Sequence, residues 1–161
     1  MIDKFVNGKS LLWDFCKFIK EDIKECNSKM AANELARAYW ALTFKYLTEV
    51  QKMNRERLDF IKSLANKLGE LDDGKKILGD IGRCGSSQGL RIILIKAMKK
   101  YFDTKKEKLF SVDDFVLKVF PRNENFMETR DILIVAIYEV LADKLIGEEI
   151  EIETQEGDNN E

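Results

Sequence analysis

Ten basic residues fall between positions 75 and 108: Lys75, Lys76, Arg83, Arg91, Lys96, Lys99, Lys100, Lys105, Lys106 and Lys108. Only three acids, Asp80, Asp103 and Glu107, accompany them. So few local acids leave most of these cations without a neighbour in sequence to pair with; the run reads either as a solvated helix face with an exposed lysine turn or as a phosphate-contacting strip, and the scarcity of acids favours the strip. The run brackets the one stretch of the body rich in small residues, Gly82-Arg83-Cys84-Gly85-Ser86-Ser87-Gln88-Gly89. Backbone amides of such a stretch, beside a helix N-terminus, can hold a phosphate. The stretch is neither GxxxxGK[ST], because Leu90 and Arg91 follow the last glycine, nor GxGxxG. The simpler reading is a flexible helix–helix connection. Arg83 and Arg91 on its flanks keep the anion reading open.

Other chemistries are scarcer. Histidine is absent, which removes Ser-His-Asp and Cys-His catalysis and any His-containing zinc site. Cys16, Cys26 and Cys84 are odd in number and widely spaced, and read as reduced thiols of a cytoplasmic protein. Cys84 beside Arg83 is the one candidate for an activated thiol, but no base accompanies it. Asp72-Asp73, Asp113-Asp114 and Glu148-Glu149 are adjacent pairs that point in different directions on a helix. Turn and cap roles explain them. The expectation is no catalytic residue, no metal and no cofactor.

The net charge of −2 averages over two unlike parts. Residues 148–161, EEIEIETQEGDNNE, hold seven of the 29 acids and no base, so the preceding 147 residues set 27 bases against 22 acids. The tail has too few apolar groups to pack and is expected to be disordered. Met1-Ile2-Asp3-Lys4 does not open a signal peptide, and the longest apolar run, Ile132 to Tyr138, is too short for a bilayer.

The elements that position the basic run read as helices. One proline and few turn signals argue against a β-sandwich. Residues 9–26 place Leu12, Phe15, Cys16, Ile19 and Ile23 on one face, with Ser10 as N-cap. Residues 29–71 carry an inward stripe of Leu35, Tyr39, Leu42, Tyr46, Val50 and Met53, resuming at Phe60 or Ile61 through Leu64, Leu68 and Leu71. This is one long helix, or two broken near Asn54, with Trp40, Phe44 and Leu47 as a second apolar face. A short helix over 75–82 and another over about 89–103 follow, the latter with Leu90, Ile93, Leu94, Ala97, Met98 and Tyr101 inward. Arg91, Lys96, Lys99 and Lys100 then face solvent. Tyr101, Phe102 and Phe110 either stack on unpaired bases or belong to the core. Ser111-Val112-Asp113-Asp114 caps a helix that stops at Pro121, and a last buried helix runs over about 125–146 to Gly147. The reading is an all-α protein: a single bundle of five or six helices over residues 1–147 and a disordered acidic tail over 148–161.

The order of Phe60-Ile61-Lys62 to Leu68-Gly69-Glu70, Leu90 to Tyr101, Ser111 to Phe115, and Arg130-Asp131-Ile132-Leu133 to Tyr138-Glu139-Val140-Leu141 resembles a known family. It is similar to the carboxyl-terminal helical region of the large subunit of type I CRISPR interference (Cascade) complexes, subtype I-B above all. In that family the region is also made as a separate small subunit by internal translation, and a short chain entering helices soon after a methionine resembles that product. The resemblance covers roughly residues 55–145. It implies a non-catalytic subunit of an antiviral defence complex whose partners are the other complex subunits, further copies of itself and the R-loop formed by crRNA and target DNA. It also implies basic surfaces that hold the displaced single strand. The family supplies no fixed residue motif, so the candidate contacts rest on charge and placement: Lys75, Lys76, Arg83, Arg91, Lys96, Lys99, Lys100, Lys105 and Lys106. Two other classes stand beside this one. One is a helical protein–protein adaptor with no nucleic-acid role; the other is an enzyme using the Gly82–Gly89 loop on a phosphorylated substrate.

Overall fold

The computed structural model describes residues 8–106 and 111–152, with side chains from Leu11 onward. Lys108, Phe110, the Ser10 side chain and tail residues 153–161 lie outside the described residues.

Short connections punctuated by Ser and Asn divide the chain into α1 (Gly8–Glu25), α2 (Lys29–Lys45), α3 (Arg55–Gly69), α4 (Gly74–Arg83), α5 (Ser87–Lys105), α6 (Val112–Val119) and α7 (Phe126–Leu141). Ser28, Asn54, Ser86, Ser111 and Asn125 each accept an amide of the following first turn, satisfying donors that have no partner inside the helix. Asn54 is the break in the long periodic pattern, so residues 29–71 form two helices. That break, with α4 as a full helix, brings the described α-helices to seven. Before it, α2 widens into a π-helical turn over Tyr46–Val50.

The bundle closes around α7. Every residue from Thr129 to Tyr138 is buried, so the helix needs neighbours on all sides. It packs against α1, α2, α3, α4 and α5. The β-branched run over Ile132–Val140 is therefore a buried helix, as its length suggested.

In α2 the inward face differs from the expected stripe. Ala32, Ala36, Thr43 and Leu47 are buried, whereas Leu42 is 55% and Val50 66% exposed. Large residues do not fit where α2 lies against α1 and α7; alanines do, and the Thr43 hydroxyl donates to the Tyr39 carbonyl at 2.8 Å. Tyr39, Trp40 and Phe44 flank the contact half-buried.

The bundle also continues past its expected boundary. Gly147 takes a left-handed φ of 76°, and its amide donates to the carbonyl of Lys24 at the end of α1 at 3.0 Å. Ile150 is then buried, and Ile152 packs on the core against Gly82, where a Cβ would lie 2.6 Å from the Ile152 side chain. Glu149 pairs with Lys20 at 2.9 Å and with Lys24. Residues 148–152 thus belong to the packed domain, correcting the boundary placed at 147. Alternate isoleucines in an acidic run supply the apolar groups that charge alone concealed. No described helix is long and apolar enough to cross a membrane.

Two predictions follow from this packing. Leu42→Ala should change unfolding free energy by no more than about 0.5 kcal/mol, whereas Leu47→Ala should cost about 2–5 kcal/mol, both read from urea denaturation. The lysine pair lowers the Glu149 carboxyl from 4.5 to about 2. A depressed folded-state pKa stabilises above the unfolded-state value and loses that contribution as pH falls toward 2. Glu149→Gln should therefore lower the thermal midpoint above pH 5, and the two proteins should converge near pH 2 in scanning calorimetry.

Candidate nucleic-acid interface

The nine candidate cations do not form one continuous surface. Lys76 and Arg83 share Asp80 on α4, at 3.2 and 2.9 Å. Lys75 lies 3.7 Å from Glu148. Lys100 pairs with Asp73 at 2.9 Å, which with desolvation opposing holds the Asp73 carboxyl below its usual range. Lys105 pairs with Glu70 at 2.9 Å. Only Lys76 and Arg83 find a local acid; Lys75, Lys100 and Lys105 are paired by acids far away in sequence, which a scarcity of local acids does not exclude. Exposed pairs of this kind contribute little to stability, but they offset the field that a phosphate would feel.

Arg91 is also placed differently from its expected solvent-facing position. Its guanidinium donates to the carbonyls of Phe120 at 2.7 Å and Pro121 at 3.3 Å, and lies 4.2 Å above the Phe120 ring. Phe120 is the C-terminal cap residue of α6 and Pro121 follows it, so Arg91 acts as a cap on that end from the neighbouring helix. Burial and the nearby Arg122 lower its pKa from the ordinary guanidinium value.

The remaining candidates are Lys96 and Lys99, one turn apart on the exposed side of α5, and Lys106 at its left-handed C-terminus. None of these three has an ion-pair partner among the described residues. Their direction follows from the helix period: Leu90, Leu94, Ala97, Met98 and Tyr101 are buried on the opposite side. Tyr101 and Phe102 meet edge to face, 5.1 Å apart, inside the core and cannot stack on a base.

Arg122 was missed. It is exposed, carries no hydrogen bond or ion pair among the described residues, and sits beside Arg91. Both arginines line a cleft of about 150 Å³ between α5 and α6 together with Ile95, Asp113, Val116 and Leu117. Arg122 follows Pro121 outside the basic run, and only the Arg91 contact to the α6 terminus brings it close.

The Gly82–Gly89 stretch is the helix–helix connection. The Ser86 hydroxyl occupies the Gly89 amide at 3.0 Å, taking one of the donors an anion would need. The Cys84 thiol is buried and donates to the Ser86 carbonyl at 3.3 Å, while Arg83 turns to Asp80. Cys16 is enclosed, and burial, reinforced by Asp131, raises its thiol well above the usual range. Among the described residues no three His, Cys, Asp or Glu side chains are grouped to hold a metal.

Because Arg91 is a cap and Lys99 a surface cation, their stabilities should separate. Arg91→Ala should cost about 1–3 kcal/mol, as expected for lost hydrogen bonds from a charged group. Lys99→Ala should stay within about 0.5 kcal/mol. Denaturant midpoints of the two variants test this. Family models, curated proteins and solved structures were all compared with the chain, and none matches.

Proposed function

We propose that this chain is a non-catalytic subunit of a cytoplasmic RNA-guided interference complex of the CRISPR Cascade kind, and that it holds single-stranded DNA by its backbone along α5. The observation that carries this reading is the pair Lys96 and Lys99, exposed on successive turns without an ion-pair partner among the described residues and continued by Arg122 across the cleft. Lysines on successive turns follow a phosphate chain without reading its bases. Guide pairing would supply the sequence specificity, and this subunit would steady the opened strand.

A second reading, a helical adaptor without a nucleic-acid role, is favoured by one observation. Leu42 is exposed on α2 with Ala38 and Ala41 exposed beside it, an apolar patch on a helix whose own core contacts are made by its other face. In the first reading that patch would meet other complex subunits or further copies of the chain.

Each phosphate contact releases condensed counterions, so affinity for single-stranded DNA should fall with salt at about −0.7 per contact on a log–log plot. Fluorescence anisotropy with a labelled thymidine 20-mer should show Lys96→Ala/Lys99→Ala flattening that slope by about 1.4. Lys75→Ala/Lys76→Ala, whose charges are already paired, should leave it nearly unchanged. An unaltered slope in the Lys96/Lys99 variant would overturn the interface and leave the adaptor reading standing.

A further inference from the structure

We propose that the cleft between α5 and α6 receives one unpaired nucleobase of the bound strand, with a preference for bases that carry an exocyclic amine. The proposal rests on the single-strand reading above and adds to it a pocket and a base preference. The floor is aliphatic: Val116 is buried, and Ile95 and Leu117 are half-buried. An inorganic phosphate has no use for such a floor. At about 150 Å³ the cleft has room for one ring system but not for a stacked pair.

Arg91 supplies a flat wall. Its guanidinium is fixed by two carbonyl acceptors and rests by one face on Phe120. A guanidinium immobilised in this way presents its other face to a ligand ring, and arginine planes commonly stack on unpaired bases. Arg122 stands nearby, unpaired among the described residues, and its charge opposes that of Arg91. An anion beside Arg122 relieves that repulsion, and the phosphate next to a docked base is such an anion.

Asp113 decides which base. It lies in the first turn of α6, exposed and without a hydrogen bond or ion pair among the described residues. A carboxylate accepts from the N4 amine of cytosine or the N6 amine of adenine, whereas thymine has the O4 carbonyl where cytosine carries its amine. Asp113 also argues against an acidic peptide as the occupant, since it would repel one. Lys96 and Lys99 continue from Ile95 along α5, where the flanking phosphates would run.

The test is anisotropy of the full chain with three labelled 20-mers at one salt concentration: oligo-dC, oligo-dT and an abasic strand. The expected order is oligo-dC about fivefold tighter than oligo-dT, with the abasic strand weakest. Asp113→Ala should bring oligo-dC to the oligo-dT level without changing the salt slope. Leu117→Ser should weaken both base-bearing strands and leave the abasic strand unchanged. Equal binding of all three strands to the unaltered chain overturns the base pocket while the backbone reading survives. No binding of any strand overturns the backbone reading and the pocket with it. Tighter binding of a leucine-containing acidic peptide than of any strand assigns the cleft to a protein partner and overturns the proposal.

Discussion

Arg130 is fully buried in the middle of the molecule, and much of the bundle is arranged around keeping it there. A cation removed from water costs several kcal/mol unless its surroundings compensate. Here Nη1 donates to the Cys84 carbonyl at 3.0 Å, and the Asp131 carboxylate lies 3.5 Å from Nε. The rings of Trp13 and Phe126 lie 5.5 and 5.6 Å from the guanidinium carbon. One side chain thereby joins α1, the α4–α5 connection and α7. The arrangement is not fully satisfied, since Nε and Nη2 find no acceptor within hydrogen-bond range among the described residues. The compensation comes from ring faces and a nearby carboxylate, which favour charge without fixing each N–H.

The direction of α5 depends on this anchor. The Cys84 carbonyl that Arg130 holds lies three residues before Ser87, where α5 begins, and the Ser86 cap fixes the first turn between them. Once the start is set and Leu90, Leu94 and Met98 are inward, Ile92, Lys96 and Lys99 must face solvent. Arg91, on the flank, then reaches the end of α6. The end of α6, whose Phe120 carbonyl takes its donor from Arg91, and the arginine beside it make a mutually stabilising contact, and the α5–α6 cleft is the space left around it.

Much of the fold was legible because burial imposes period. Ile61, Leu64 and Leu68 on α3 read as a helix face from spacing, and the apolar run of α7 read as a helix from its length and the Gly147 that follows. The inward face of α2 was not, because it is made of Ala32, Ala36 and Thr43, which a hydrophobicity scan passes over in favour of Leu42. The end of the domain was hidden in a similar way: Ile150 and Ile152 alternate with glutamates that mask them. In the candidate site, the exposure of Lys96 and Lys99 followed from helix phase. The pairing of Lys100 with Asp73 and Lys105 with Glu70 did not, because helix rules see only partners three or four residues away. Arg91 looked like one more cation, and its role required knowing that the carbonyls of Phe120 and Pro121 lay within reach.

The distribution of paired and unpaired charge has a consequence for affinity. Acids at the α3–α4 corner meet one flank of α5, at Lys100 and Lys105, while α6 and Arg122 meet the other flank. Among the described residues, the crest between them presents Lys96 and Lys99 without an ion-pair partner. Two or three phosphate contacts give a weak, salt-sensitive interaction for a single copy. Such a face becomes effective when copies or neighbouring subunits hold the same strand, because each later contact is then intramolecular. The apolar patch around Leu42 lies on α2, which packs against α1 and α7, whereas α5 packs against α3, α4, α6 and another part of α7. A partner seated on α2 would therefore leave the lysine crest open, so the same fold can be held by an assembly and still present its charge to a strand.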